Sequence, residues 1–224
     1  MKVPMFTVRI WDLPTRLFHW ALAACVIGLV ITGQLGGNAM VWHFRLGYAV
    51  LSLLLFRGVW GLLGGHWSRW SQLPCHPSKL WAYWQDRSPA LHQAGHNPLG
   101  SWSVLAMLFF LALQVATGLI SDDEIANSGP LSSLVSGKVV SLATHWHKQW
   151  GKLTLILLIS IHVLALAWYG WRKHPSLVPA MWHGNKNLPV SVPASRDTTS
   201  SRLLALALYG LAVLAVLAIV SLGS

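Results

Sequence analysis

The sequence predicts an all-α integral membrane protein, a bundle of four spanning helices followed by a fifth, C-terminal one. Three observations carry that expectation. Only 10% of the 224 residues are charged while 54% are hydrophobic, and a soluble domain of this size needs far more charge to cover its surface. Five apolar runs occur, at about 15–34, 41–63, 99–120, 146–168 and 202–222; a helix of about 20 residues crosses a hydrocarbon core of about 30 Å. Each run ends in polar residues, Gly or Pro, and several contain Gly, which spanning helices tolerate.

The first run follows Lys2, Arg9 and Arg16, as the core of a secretory signal also would. No A-x-A-like cleavage site follows it, only Thr32-Gly33-Gln34, so it is expected to stay as a helix. The stretch 64–98 after the second run is long for a connection. Within it, Pro77–Trp84 places Trp and Leu on one side of a short helix. Trp and Tyr prefer the headgroup level, and the chain holds 14 Trp, so an interfacial cytoplasmic helix is expected there. The stretch 121–145 opens with Asp122-Asp123-Glu124, contains Gly129-Pro130 and leaves room for a short helix around Leu131–Leu142. Residues 184–201 are rich in Asn, Pro and Ser and read as a linker. The fifth run is almost pure Ala, Leu and Val, with Tyr209 as its main polar group, and reads as a packing or assembly helix. The expected organisation is a four-helix domain over 1–183, a linker over 184–201 and a C-terminal helix over 202–224.

The formal net charge is +10, but the cations are spread among loops rather than gathered on one face, which argues against nucleic-acid binding. Their positions indicate topology instead. Lys2, Arg9 and Arg16 precede the first helix; Arg69, Lys79 and Arg87 lie between the second and third; Arg172, Lys173, Lys186, Arg196 and Arg202 lie between the fourth and fifth. The positive-inside rule then places the N-terminus in the cytoplasm and the C-terminus outside. Cys25 falls in the first helix and Cys75 in a loop, a poor pair for a disulfide. No C-x-x-C-H occurs, so covalent c-type haem attachment is not indicated.

Four histidines fall within the spanning runs: His19, His43, His147 and His162. A buried histidine in a bilayer is costly and usually functional. With the N-terminus inside, His19 lies roughly 8 Å and His162 roughly 9 Å from the inner helix ends, so those two can share a depth. His43 and His147 both stand at outer helix starts and can share another. Within the fourth helix the two histidines are 15 residues apart, about 22 Å along the axis and within about 60° of one direction. Two pairs at two depths suit two stacked planar metal macrocycles, each gripped from both faces by neutral imidazole. His145 rivals His147, but its 17 steps to His162 point about 100° away.

Small residues support the outer pair. Gly47 follows His43, and Gly151 follows His147, by four positions, on one helix face, where a missing side chain admits a flat ring. Ala23 and Ala165 stand similarly beside His19 and His162. Bis-histidine ligation fills both axial positions of an iron and suits electron transfer. Haem propionates need cations: Arg57 sits roughly 9 Å from the inner end of its helix, and Arg16 one turn before His19. An intramembrane Arg either finds such a partner or snorkels. Arg45, Lys148 and Lys152 lie close to the outer pair. The remaining histidines, at 66, 76, 92, 96, 174 and 183, are expected in or near cytoplasmic loops, solvated or interfacial.

At these residues the chain resembles the bacterial cytochrome b561 family, which includes the b-type subunits of membrane nickel–iron hydrogenases. The stretches that carry the resemblance are Val8–Trp20, with Arg16 and His19; His43-Phe44-Arg45-Leu46-Gly47-Tyr48; and Leu55-Phe56-Arg57-Gly58-Val59-Trp60-Gly61. Gly95-His96-Asn97-Pro98-Leu99-Gly100, Thr117-Gly118-Leu119 running into the acidic triplet, His147-Lys148, Gly151 and His162 complete it. It covers about residues 8–183. The resemblance implies a four-helix core with two haem b groups, His19 pairing with His162 and His43 with His147. It further implies electron transfer between membrane quinone and a redox partner outside the membrane; the motifs resemble those of the branch associated with small periplasmic c-type cytochromes, dihaem ones among them. The family spacing in the fourth helix is commonly 14, against 15 here. Either a π-bulge absorbs the extra residue, or the outer ligand is another residue.

The expectation is therefore a dihaem b-type cytochrome of the bacterial inner membrane, embedded in lipid, working between quinone and a periplasmic c-type cytochrome. Asp122-Asp123-Glu124 is a candidate guide for a basic partner, or else a solvated loop. Gln114 is either a quinone contact or a hydrogen-bonding group within the bundle. Two other readings compete: a stand-alone haem oxidoreductase, ferric or superoxide-linked, and a cofactor-free transporter or assembly scaffold.

Overall fold

The computed structural model describes residues 5–85, 87, 94–171 and 177–223. Lys2, Arg172 and Lys173, three cations of the topology argument, and His92 and His174 lie outside the described residues. In chain order the elements are β1 (Phe6–Arg9), α1 (Leu13–Leu35), α2 (Met40–Leu63), α3 (Pro77–Trp84), α4 (Pro98–Leu119), α5 (Gly137–His145), a π-turn (Trp146–Gly151), α6 (Lys152–Trp171), α7 (Leu177–His183), β2 (Asn185–Leu188) and α8 (Thr199–Ser221). Among the described residues five helical stretches are long and apolar enough to cross a membrane: α1, α2 with its preceding turn, α4, the continuous run Gly137–Trp171, and α8. The protein is an all-α, multi-pass membrane protein with one two-stranded ribbon.

The sequence pattern located the five spans to within a few residues, with one exception. The fourth begins at Gly137, because α5 continues through the π-turn into α6; the short helix expected around Leu131–Leu142 is the start of that span. The short helix α3 falls where the Trp/Leu pattern put it, capped by His76, whose ring accepts from the Ser78 N–H, with Pro77 in the first turn.

The chain divides into two compact units, and the boundary falls inside each of the five long helices. The first unit comprises residues 1–17, 57–106 and 159–206. Its apolar core is Val8, Ile10, Trp11, Trp67, Ala94, Ala180, Leu188 and Val192. β1 and β2 pair antiparallel, Phe6 opposite Leu188 and Arg9 opposite Asn185, and the period-two alternation turns Lys186 and Leu188 inward. The stretch read as a linker thus contributes a strand and part of a core, since Asn-Lys-Asn-Leu alternates too briefly to stand out from its polar neighbours. Gly184 ends α7 at φ +88°, a left-handed conformation that suits glycine, and its carbonyl accepts the N–H groups of Ile10 and Trp11 at 2.8 and 3.0 Å.

Asp12 is the polar centre of this unit. It is fully buried and caps α1 by accepting the Thr15 N–H at 2.8 Å. It also accepts from Gly65 N–H at 2.9 Å, Ser68 Oγ at 2.8 Å and Trp60 Nε1 at 3.3 Å. Asp197 pairs with Arg9 at 2.8 Å and Arg202 at 2.9 Å, with Arg16 at 4.0 Å. Burial pushes the Asp197 carboxyl up, but Arg202, the Leu13 N–H and Arg9 together hold it below the usual carboxylate range. Lys186 donates to the carbonyls of Ala94 and Gly95 at 2.9 and 3.2 Å.

The second unit comprises residues 18–56, 107–158 and 207–224. Val50, Leu111, Val115 and Leu155 form its core, with Leu22, Val26, Leu29, Leu54 and Phe110 packed around them. These side chains come from α1, α2, α4 and α6, the four helices the histidine argument requires. In lipid such contacts hold helices by close packing rather than by exclusion of water. α8 joins through Tyr209, whose ring lies 6.1 Å from Phe56.

Candidate metal centre

His43 stands one turn into α2 and His147 in the π-turn, both in the second unit. Their ring centres are 6.1 Å apart and the ring planes nearly perpendicular, at 84°. Two metal–imidazole bonds of about 2 Å, plus about 1.1 Å from each nitrogen to its ring centre, come to about 6 Å. The pair is therefore spaced to hold one metal ion axially.

The second nitrogen of each ring is already committed. His43 Nδ1 lies 3.1 Å from the Leu29 carbonyl and 3.2 Å from Thr32 Oγ1. His147 Nδ1 lies 2.9 Å from the Gln114 carbonyl. A carbonyl only accepts, so Nδ1 carries the proton in both rings. That leaves each neutral imidazole with a bare Nε2, the tautomer a metal ligand needs, held by a carbonyl behind it.

Glycines make room for both rings. A Cβ on Gly33 would lie 3.2 Å from His43 Cε1, and one on Gly118 would lie 2.8 Å from His147 Cε1. Gly47 faces open space, with nothing within 4 Å of a built Cβ, as a cradle for a flat ring requires. Gly151 differs: a Cβ there would collide with Gln114 Oε1 and come 2.7 Å from Trp146 Nε1. Its missing side chain accommodates the Gln114 amide, which donates to the His147 carbonyl at 2.9 Å. Gln114 is thus the internal hydrogen-bonding group of the two alternatives.

The other predicted residues are placed as follows. His19 is half-buried on α1, its ring 5.0 Å from that of Trp20, in the second unit; His162 is half-buried on α6, in the first. Arg57 is buried, its guanidinium 4.0 Å over the Trp70 ring. Its Nη1 is buried with no hydrogen-bond partner among the described residues, so one charged donor is left for an anionic group. Arg16 Nη1 donates to the Trp182 carbonyl at 2.7 Å and Nη2 lies 4.0 Å from Asp197, while its Nε is buried with no hydrogen-bond partner among the described residues. Arg45 is exposed and lies over Trp42 at 5.1 Å.

His145 is exposed and lines an open cavity of about 520 Å³ with Asp122, Glu124, Lys148 and Gln149. The acidic triplet is largely spent on its own loop. Asp123 accepts from Asn127 Nδ2 at 2.7 Å and from the N–H groups of Asn127, Ala126 and Ile125 at 2.9, 2.9 and 3.0 Å. Those bonds hold its carboxyl well below the usual range. His96 is half-buried against Trp11 at 4.7 Å rather than solvated, because its neighbours Ala94 and Gly95 belong to the packed first unit.

Sequence reasoning missed the carbonyls of Leu29 and Gln114, the hydroxyl of Thr32 and the seats at Gly33 and Gly118. The signals were present as Thr32-Gly33, Thr117-Gly118 and a lone Gln in apolar runs. Their pairing with particular histidines depends on which helices pack together.

The model of the prokaryotic cytochrome b561 family matches residues 10–184. The chain belongs to that family. As a prokaryotic cytochrome b561 it is a membrane b-type cytochrome, and haem b is the cofactor the family implies. The chain is 23% identical over 214 residues to a protein of Bradyrhizobium diazoefficiens named a probable Ni/Fe-hydrogenase B-type cytochrome subunit, covering 80% of this chain and 86% of that one. Proteins with the same name in Cupriavidus necator, 24% identical over 192 residues, and Azotobacter chroococcum, 27% identical over 214, cover 70% and 79% of this chain and 77% and 87% of their own lengths. No solved structure matches the chain. A π-turn at Trp146–Gly151 includes His147 and precedes His162, and such a widened turn takes up one extra residue.

Proposed function

We propose that this cytochrome carries electrons one at a time across the bacterial inner membrane, between the quinone pool and a periplasmic c-type cytochrome. In this reading two haem b groups are held, one by His43 and His147 near the outer face and one by His19 and His162 near the cytoplasmic face, with the N-terminus in the cytoplasm. The observation that carries it is the His43–His147 pair: ring centres 6.1 Å apart, each Nδ1 bound to a carbonyl and each Nε2 free for iron.

Haem b supplies a one-electron iron couple between the two imidazoles. The chain's own residues do the rest. Leu29 and Gln114 hold the tautomer and raise the basicity of the ligands. Gly33 and Gly118 let the rings seat, and Gly47 leaves space beside them. Two imidazole ligands to a bound haem iron would keep small substrates off the metal, which favours an electron carrier over a stand-alone oxidoreductase. Arg57 Nη1 and Arg16 Nε, both buried without a hydrogen-bond partner among the described residues, are cationic donors available to propionates. Family membership leaves the cofactor-free reading without support.

A second choice of partner comes from the relatives, named as hydrogenase subunits. On that reading the outer partner is a nickel–iron hydrogenase.

A reduced-minus-oxidised spectrum of the purified protein, with its haem-to-protein ratio, tests the proposal. The expected ratio is two, falling to one in His43→Ala or His147→Ala and staying at two in His145→Ala. A colourless protein, or a ratio of one in a folded sample, overturns it. Reduction by a quinol, followed by oxidation with a c-type cytochrome or a hydrogenase, separates the two partners.

A further inference from the structure

Gln114 touches His147 twice. Its backbone carbonyl accepts from His147 Nδ1 at 2.9 Å, and its side-chain Nε2 donates to the His147 carbonyl at 2.9 Å. The two residues form a reciprocal pair in which one hydrogen bond fixes the imidazole and the other fixes the backbone that bears it. His43 has no such clamp: its Nδ1 is shared between the Leu29 carbonyl and Thr32 Oγ1.

The His147 carbonyl lies in the π-turn. In a regular α-helix it would accept from the N–H four residues on. The widened turn over Trp146–Gly151 shifts that pattern to five, and the carbonyl also accepts the Gln114 amide from α4. Gly151 completes the arrangement, since any side chain there would collide with Gln114 Oε1. Gln114 Oε1 and Trp146 Nε1 are both buried without a hydrogen-bond partner among the described residues. Two such atoms beside one residue are unfavourable in an apolar surrounding.

We propose that Gln114 is the positioning residue of the outer ligand, setting the tilt of the His147 imidazole and the strength of its Nδ1–H bond through the π-turn. It rests on the reading that His147 ligates haem. A strong Nδ1–H···O=C bond makes the imidazole a better donor to iron and favours the oxidised metal. Removing the amide donor leaves the ring held from one side only. The bond lengthens, and the potential of one haem rises while the other stays in place.

The test is a spectroscopic redox titration and low-temperature electron paramagnetic resonance of the purified holoprotein, wild type against Gln114→Leu. One of two midpoints is expected to rise, with about a threefold larger reduced-to-oxidised ratio at fixed ambient potential, about 28 mV for a one-electron couple. One low-spin signal should shift as the imidazole tilts. Gln114→Met, which keeps more of the side chain's length, covers the case where the leucine variant does not fold. Gln114→Glu, measured at a pH where its carboxyl is ionised, keeps the shape but not the donor and should behave like the leucine variant. Selective loss of one haem supports the same assignment. Unchanged midpoints and signals, equal shifts in both haems, or wild-type behaviour in Gln114→Glu overturn it. A wild-type protein without two b haems would instead defeat the functional reading before any variant is made.

Discussion

In the unit built around Asp12, buried polar groups tie backbone segments together; in the unit that holds His43 and His147, apolar side chains do the packing and polar groups serve two imidazoles. Asp12 takes four hydrogen bonds from three stretches of chain, and Lys186 and Asp197 add further ties. The second unit has a core of Val and Leu; outside its Asp123 loop, Thr32 accepts from the His43 ring and Gln114 donates to the His147 carbonyl. One unit uses polarity to hold loops, strand and helix ends in place. Within the spanning helices of the other, it goes to orienting two rings, because packing alone cannot set a tautomer.

The largest effect should come from Asp12→Ala. It removes the acceptor of several buried donors, each costing about 1–3 kcal/mol when orphaned. A destabilisation on the order of 4 kcal/mol or more is expected in thermal unfolding in detergent, with Asp12→Asn retaining much of the stability. A mild Asp12→Ala variant would break the contrast between the units.

Lys186 gives a pH signature confined to the first unit. Burial lowers its ammonium from 10.5 to about 8, so the unfolded chain binds the proton more tightly than the folded one. Stability is therefore penalised below about pH 8 and recovers as pH rises toward the ordinary lysine value, by on the order of 3 kcal/mol in total. Lys186→Met should flatten that slope in unfolding measured from pH 7 to 10. A parallel wild-type and variant profile would show that the amine is not desolvated.

Glycine variants sharpen the picture of the second unit. Gly118→Ala places a Cβ 2.8 Å from His147 Cε1, a strain of about 1–3 kcal/mol, and should lower the retention of one haem. Gly47→Leu meets nothing within 4 Å of its Cβ, so the fold should survive while one haem is lost. If both haems remain in Gly47→Leu, the space beside Gly47 is not a cradle. The smallest effect is expected from Thr32→Val, which removes one of two acceptors of His43 Nδ1 and about 0.5–1.5 kcal/mol. A small shift of one midpoint potential would register it.

Much of this was legible in the residues. The five spans follow from apolar length, and α3 from its Trp/Leu pattern and Pro77. The His43–His147 pairing followed from depth alone. The ribbon β1–β2 was not legible, because four-residue strands carry too little periodicity and their partners lie about 180 positions apart. Asp12 stood in a quoted motif without a role, since its donors come from Gly65 and Ser68, more than 50 residues away. Arg16 was read as a propionate cation, and its ties to Asp197 and the Trp182 carbonyl were not legible, because both partners lie more than 160 residues away.

By itself the chain determined its membrane class, its spans and its candidate ligands, because a bilayer sorts residues by length and polarity and a buried histidine stands out against both. Tertiary structure alone decided which nitrogen of each ring is free, which glycine seats which imidazole and which charges are already paired. Those outcomes depend on contacts of about 3 Å between helices distant in sequence, and no pattern along one strand of text encodes which carbonyl will stand behind which ring.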